Sequence, residues 1–172
     1  MKICDALKHC LHCRDEEGGK TKRILWAVFL IYFLILLKVI VFKPSLSQLI
    51  EITRSWEKGV ILEGLDTANF TLFKTIKMYI RYWGRLNSFE NLFGNVLCFV
   101  PLGFLLPFFQ KESRHWWVML INAFLLVCGI EVFQLITAYG AFDVDDILLN
   151  CLGAMIGHLA FILVFFRSKE YT

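Results

Sequence analysis

The sequence predicts an all-α membrane protein, a bundle of about four transmembrane helices whose outer loop carries interfacial amphipathic helices. Of its 172 residues, 58% are hydrophobic and 19% are charged, whereas soluble domains average roughly 45–50% apolar and about 25% charged residues. The charged residues gather between runs of about twenty residues that contain almost none. A soluble surface helix alternates polar and apolar faces, and these runs do not. The pattern excludes an ordinary cytosolic enzyme, a disordered regulator and a secreted disulfide scaffold.

The apolar runs also predict the domain organisation. A basic tail with Cys and His residues precedes a single membrane domain, and a short tail follows it, with boundaries at 1–23, 24–166 and 167–172. The predicted spans cover about 24–42, 90–109, 116–138 and 147–166, with an outer loop at 43–89. Each can cross about 30 Å of hydrocarbon at roughly 1.5 Å per residue. In the second span, Pro101 and Gly103 permit a kink or a break.

Basic residues predict how the spans are oriented. The segment 1–23 holds six Lys or Arg, and the segments 110–115 and 167–172 hold two each. The loop 139–146 holds three aspartates and neither Lys nor Arg. The positive-inside rule therefore places both termini in the cytoplasm and the aspartate loop outside the cell membrane. The loop 43–89 also holds seven Lys or Arg, but it is long for the rule.

Two segments of the outer loop, 46–56 and 71–83, have the spacing of amphipathic helices. In the second, one face gathers apolar side chains and the other gathers cations: Leu72, Ile76, Tyr79, Ile80 and Trp83 against Lys74, Lys77 and Arg81. Such helices lie in the headgroup layer with their cations near anionic lipid. The alternative is a plain connector whose aromatic residues cap the bundle.

Polar side chains inside the apolar spans are the strongest functional signal, because each is costly without a partner. With the predicted orientation, three spans place them within roughly 10 Å of the outer boundary: Asn91 and Asn95, Glu131 and Gln134, and Asp146 and Asn150. Spacings of three and four residues put each set on one helix face, with Asp143 just before the last. Gly153 and Gly157 continue that stripe and allow another helix to approach closely. The sequence therefore predicts a shared polar pocket at the outer leaflet.

These residues resemble the VanZ family, whose namesake is the teicoplanin-resistance protein of Gram-positive bacteria. The resemblance covers roughly residues 24–160. It is carried by Asn91-Leu-Phe-Gly-Asn95 with the following Pro101 and Gly103, by Glu131-x-x-Gln134, and by Phe142-Asp143-x-x-Asp146-x-x-x-Asn150 with its glycines. Phe42-Lys43 and the segment from Asn69 to Phe73 also match family features. Many relatives have Gly-Arg where this chain has Gly140-Ala141, and a proline where it has Leu72. The missing arginine weakens any scheme in which a guanidinium holds a phosphate.

The resemblance implies low-level resistance to teicoplanin-type lipoglycopeptides without altered peptidoglycan precursors. It leaves the chemistry open, and the residues support three hypotheses. The first is a binding protein for a lipid headgroup, a cell-wall precursor or the antibiotic's lipid tail. Glu131 would be its buried charge, Gln134, Asn95 and Asn150 the hydrogen-bond partners, and Asp143, Asp145 and Asp146 the rim.

The second hypothesis is a membrane enzyme acting on a lipid-linked substrate. Glu131 and Asp146 would serve as general acid and base, or would hold a divalent cation with the amide oxygens. The third is a small transporter with Glu131 as its proton or ion site, for which four spans require a homodimer. Against all three stands the interpretation that the polar groups only hold the helices together.

The N-terminal tail carries a separate candidate metal site. Cys4, His9, Cys10, His12 and Cys13 provide zinc-ligand chemistry, although adjacent His9 and Cys10 depart from the usual spacing. Reduced cytosolic thiols are the alternative. The net charge of +3 is accounted for by membrane orientation and predicts no nucleic-acid partner.

Overall fold

The computed structural model describes residues 16–41, 46–54, 60–83 and 88–165. Its helices in chain order are α1 (Glu16–Leu36, continued as a π-helix over Leu37–Val41), α2 (Leu46–Arg54), α3 (Val60–Thr67), α4 (Lys74–Arg81), α5 (Ser88–Phe109), α6 (Trp116–Thr137) and α7 (Val144–Phe165). Among the described residues, four helices (α1, α5, α6 and α7) are long and apolar enough to cross a membrane. The predicted all-α membrane fold is confirmed. The N-terminal Cys and His cluster lies outside the described residues.

The pairing of α5 with α7 forms the centre of the bundle, and glycines set its closeness. A Cβ added at Gly153 would overlap the carbonyl oxygen of Val96, and one at Gly157 would overlap that of Val100. On the other helix, a Cβ at Gly103 would overlap the carbonyl of Ala154. Backbones approach this closely only where a small residue lies at the contact. The sequence permits a kink or a break at Pro101 and Gly103; α5 runs unbroken through both residues, and Gly103 contributes to the close packing.

The hydrophobic core lies between α5, α6, α7 and the end of α1. Phe99, Met119, Val127 and Ala154 are completely buried there, and Leu36 of α1 is nearly so. The outer faces of the same helices expose large apolar side chains, among them Leu97, Leu125 and Leu159. Because hydrocarbon is as apolar as leucine, lipid can cover these faces without cost.

The loop between α1 and α5 contains three described helices where the sequence predicted two. The additional helix, α3, packs on α6, and a Cβ at Gly64 would lie 2.7 Å from the carbonyl oxygen of Leu135. An eight-residue helix with an internal glycine has little intrinsic stability, so this contact, absent from any sequence pattern, supports it. The α2 helix reaches the loop before α7, where the hydroxyls of Thr53 and Tyr139 lie 3.0 Å apart.

The two ends of the bundle differ in their polar contacts. At one end, which we call the aspartate end, residues 138–146 connect α6 to α7 beside α4. At the opposite end, a 3₁₀-helix (Lys111–Arg114) connects α5 to α6. There the buried His158 places Nε2 3.1 Å from the carbonyl oxygen of Arg114, and Asn122 donates to Gln110 and Ser113. His158 is therefore remote from the aspartate end.

Candidate functional site at the aspartate end

Asn69, between α3 and α4, joins the outer loop to the start of α7. Its backbone N–H donates to the carbonyl oxygen of Phe142 over 2.8 Å, and its own carbonyl accepts from the N–H of Val144 over 3.0 Å. Its side-chain amide also donates to Asp143 over 2.9 Å and to Thr75 over 3.1 Å. The two segments form a short parallel bridge. The sequence singled out Asn69 only through the family resemblance, because a loop amide has no periodic signal.

Asp143 lies at the centre of this network. One oxygen accepts the N–H of Asp145 over 2.8 Å and so caps the N-terminus of α7, where acidic groups are favoured. The other accepts the Thr75 hydroxyl over 2.5 Å. The backbone N–H of Asp143 donates to Oε2 of Glu131 over 3.0 Å. The structure thus brings together Asp143 and Glu131, two of the residues predicted for the site.

Asp145, which the sequence placed at the rim of the pocket, is completely buried. Its carboxylate accepts N–H groups from the first turn of α4: Phe73 over 2.5 Å, Thr75 over 2.8 Å and Ile76 over 3.1 Å. The residue before α4, Phe73, has a φ of 64° and makes no side-chain cap. Asp145 therefore caps α4 from a different helix. The sequence around Asp145 does not predict this role.

Asp146 and Asn95 form a side-chain hydrogen bond between two spans. The Asn95 amide donates to the Asp146 carboxylate over 2.5 Å. Asn95 is buried, whereas Asp146 is half-buried. Burial raises the pKa of the Tyr79 phenol above its ordinary value of 10.0, and the charges of Asp146 and Asp143 raise it further. The sequence placed Tyr79 on the apolar face of a predicted amphipathic helix, which was the available signal for this residue.

The remaining predicted residues take no part in the hydrogen bond between Asn95 and Asp146. Gln134 is buried and donates to the carbonyl oxygen of Ile40 over 2.8 Å, which attaches the π-helical end of α1 to α6. Asn91 is exposed at the start of α5. Asn150 is buried, and neither its amide nitrogen nor its oxygen has a hydrogen-bond partner within the part of the chain that the structure describes. It lies between Asp146 and Gly153 on the face of α7 that meets α5.

Two further observations bear on what the site can hold. An open cavity of about 350 Å³ between α2 and the loop before α7 is lined by Leu49, Ile50, Thr53, Arg54 and Tyr139, none of which was predicted. Within the described ranges, no three His, Cys, Asp or Glu side chains are grouped so that they could hold a metal ion. The divalent cation expected from the sequence at the outer carboxylates stays a prediction.

Four apolar helices with a polar network at one end define a multi-pass membrane protein. The family model described as VanZ/LLP1 matches residues 29–166, and the chain belongs to this family. A segment of 72 residues is 35% identical to Protein VanZ of Enterococcus faecium. The matched segment covers 41% of this chain and 43% of that protein. The chain therefore matches less than half the length of this curated relative. No solved structure matches the chain.

Proposed function

We propose that the chain binds the polar head of a membrane lipid or of a lipid-linked cell-envelope component at Asp146 and Asn95. The observation that carries this proposal is the 2.5 Å contact between these side chains of two different spans, with Asp146 only half-buried. Asp146 is the third residue of α7, so its carboxylate lies near the level where lipid headgroups meet the hydrocarbon. The family resemblance extends the proposal to lowered susceptibility to teicoplanin-type lipoglycopeptides.

The other acidic side chains have structural partners that account for them. Asp145 accepts three backbone N–H groups, and Asp143 holds a hydroxyl, an amide and a backbone N–H. Glu131 is 1% exposed and accepts the N–H of Asp143. Asp146 alone among these four carboxylates combines partial exposure with a side-chain partner from a neighbouring span. We therefore assign ligand contact to Asp146 rather than to Glu131.

The chemistry of the lining favours one part of a headgroup over another. Carboxylate oxygens accept hydrogen bonds and attract cations, whereas a phosphate beside Asp146 and Asp143 would be repelled. The position before Phe142 holds Ala141 rather than an arginine, so this position supplies no guanidinium. A ligand of this site would therefore present ammonium, hydroxyl or amide donors to Asp146, with the buried Asn150 one helical turn deeper.

The proposal is tested by teicoplanin susceptibility in a host that expresses the chain. Asp146→Asn removes the charge with little change in shape, and we expect it to abolish the tolerance while the amount of folded protein stays unchanged. Asp66→Asn is the matched control, because Asp66 is an exposed aspartate on α3. Tolerance that survives Asp146→Asn at equal protein levels would overturn the proposal.

The enzyme and transporter hypotheses predict different outcomes in the same series. An enzyme with Glu131 and Asp146 as acid and base would turn over a lipid-linked substrate and lose turnover in either neutral variant. A transporter would show proton flux in liposomes that Glu131→Gln abolishes, and it would require the predicted homodimer. A binding protein shows neither activity, while its retained lipid changes with Asp146→Asn.

We also infer that the aspartate end faces the outside of the cell, as the distribution of basic residues predicts. A cysteine introduced at exposed Thr71 would then react with an impermeant maleimide in intact cells. A cysteine at exposed Lys111, at the opposite end, would react only after lysis. The reverse labelling pattern would place the site in the cytoplasm. The experiment uses a chain whose native cysteines are replaced.

A further inference from the structure

The α4 helix presents three cations on one face. Lys74, Lys77 and Arg81 are spaced three and four residues apart, which puts them on a common side, and all three are exposed. The half-buried residues of this helix, Thr75, Ile76 and Tyr79, lie on the other side. We call the three cations the α4 cationic face.

Exposed apolar side chains lie beside this face and at the two ends of the helix. Phe73 at the start of the helix, Ile80 within it and Trp83 just after it expose 44%, 62% and 49% of their surfaces. Large apolar side chains beside cations are the composition of a helix that lies in the interfacial layer of a bilayer. Tryptophan in particular favours the headgroup level.

The structure fixes the depth of α4 through Asp145. This residue is the second of α7 and accepts the N–H groups of Phe73, Thr75 and Ile76. Because α7 is long enough to span the hydrocarbon over its 22 residues, its first turn lies at the hydrocarbon boundary. The first turn of α4 must lie at the same boundary, since the two are joined by direct hydrogen bonds.

From this placement we propose that the α4 cationic face binds anionic phospholipid headgroups in the leaflet at the aspartate end. The three positive charges complement the negative phosphates at that depth, while Phe73, Ile80 and Trp83 reach toward the acyl chains. This surface is separate from the Asp146 contact, because Tyr79 and the cations occupy opposite sides of the helix. It neither requires nor implies the function proposed above.

The experiment compares lipid retention by the purified full chain in a neutral detergent. Phosphatidylglycerol and phosphatidylcholine with identical acyl chains are added in equal amounts, and bound lipid is counted by native mass spectrometry. The unchanged chain should retain mostly phosphatidylglycerol. The triple variant Lys74→Gln, Lys77→Gln, Arg81→Gln should lose this preference by about five-fold or more, given the usual attraction of each cation to an anionic surface.

Two controls keep the result specific. The variant Lys74→Arg, Lys77→Arg preserves the charge and should preserve the preference. The triple variant should keep its melting temperature, because Asp145 holds α4 by backbone N–H groups that glutamine leaves in place. An unchanged preference in the triple variant would overturn the proposal. Equal loss of both lipids would also overturn it, because the face would then bind acyl chains rather than anionic headgroups. Binding of soluble polyphosphate without any selectivity between the two lipids would overturn it as well.

Discussion

The carboxylate of Asp145 accepts a hydrogen bond of 2.5 Å from the backbone N–H of Phe73, a residue 72 positions earlier in the chain. Phe73 has a left-handed backbone and gives α4 no side-chain cap. A completely buried carboxylate from a helix long enough to span a membrane therefore supplies the cap of α4. This contact ties the outer loop to the bundle beside Asp146.

We predict that Asp145→Ala detaches α4 from the bundle. The substitution leaves three N–H groups without their acceptor, and the loss of a cap together with unsatisfied donors costs about 2–4 kcal/mol. The melting temperature in detergent should fall, and trypsin should cleave faster at Lys74, Lys77 or Arg81. Asp66→Ala is the control, because Asp66 is exposed. Similar cleavage rates in the two variants would refute this role of Asp145.

A methyl group added at Gly153 should force α5 and α7 apart. The new Cβ would overlap the carbonyl oxygen of Val96, and overpacking of this kind costs about 1–3 kcal/mol. The matched control is Gly129→Ala on α6, where nothing lies within 4 Å of an added Cβ. Alanine is the better helix former, so this control should be neutral or more stable by up to about 1 kcal/mol. Denaturation midpoints measure both changes in stability. Gly153→Ala should lower the midpoint, whereas Gly129→Ala should leave it unchanged or raise it.

Glu131 can support the fold as a hydrogen-bond acceptor or through its charge, and these two roles predict different effects of its replacement. Glutamine keeps an oxygen that can accept the N–H of Asp143. The free energy of unfolding of Glu131→Gln should therefore lie within about 1 kcal/mol of that of the unchanged chain. Glu131→Leu leaves that N–H unsatisfied and should cost about 1–3 kcal/mol. Thermal unfolding in detergent tests both variants. If glutamine destabilises the chain as much as leucine does, the charge of Glu131 itself contributes to the fold.

The phenol of Tyr79 should titrate above pH 10.0, the ordinary value for its pKa, because burial and the charges of Asp146 and Asp143 raise it. The folded chain then holds this proton more tightly than the unfolded chain does. Its contribution to stability is present below pH 10.0 and is lost as the pH rises through the raised pKa. The ultraviolet absorbance of the phenolate, compared between the unchanged chain and Tyr79→Phe, isolates this group.

The same titration of Tyr79 in the variant Asp146→Asn tests the effect of the Asp146 charge. Removing one of the two nearby charges should move the pKa of Tyr79 back toward its ordinary value, although burial, the larger cause, persists. An unchanged titration in Asp146→Asn would mean that the phenol and this carboxylate are not neighbours. Asp66→Asn serves again as the distant control.

Asn150 should separate stability from function. Its buried amide has no hydrogen-bond partner among the described residues, and an apolar side chain of similar shape avoids that desolvation penalty. We expect Asn150→Leu to keep or raise the melting temperature while it lowers teicoplanin tolerance, the usual trade-off at a binding site. A destabilised Asn150→Leu chain would show that the amide supports the fold instead.

The sequence predicted more of the candidate site than of the contacts that support it. Asn95 and Glu131 interrupt long apolar runs, and such interruptions are visible without a structure because lipid tolerates few of them. Asp143 and Asp146 were predicted from their helical spacing to Asn150. Asn69, Thr75 and Asp145 occur where polar residues are common, between or at the ends of helices. A carboxylate in an aspartate-rich loop resembles a solvated turn until its partners are known.

The high apolar content and its division into runs determined the membrane fold by themselves, because the length of an apolar run alone decides whether a helix can span hydrocarbon. The glycines of α7 likewise indicated a close helix pair, since only small residues permit it. Tertiary structure alone decided that Asp145 is buried and caps α4, that Gln134 contacts Ile40, and that the charges of Asp146 and Asp143 act on Tyr79. Each of these depends on hydrogen bonds or charges between residues distant in the chain, and periodicity along one helix carries no information about which helix lies opposite.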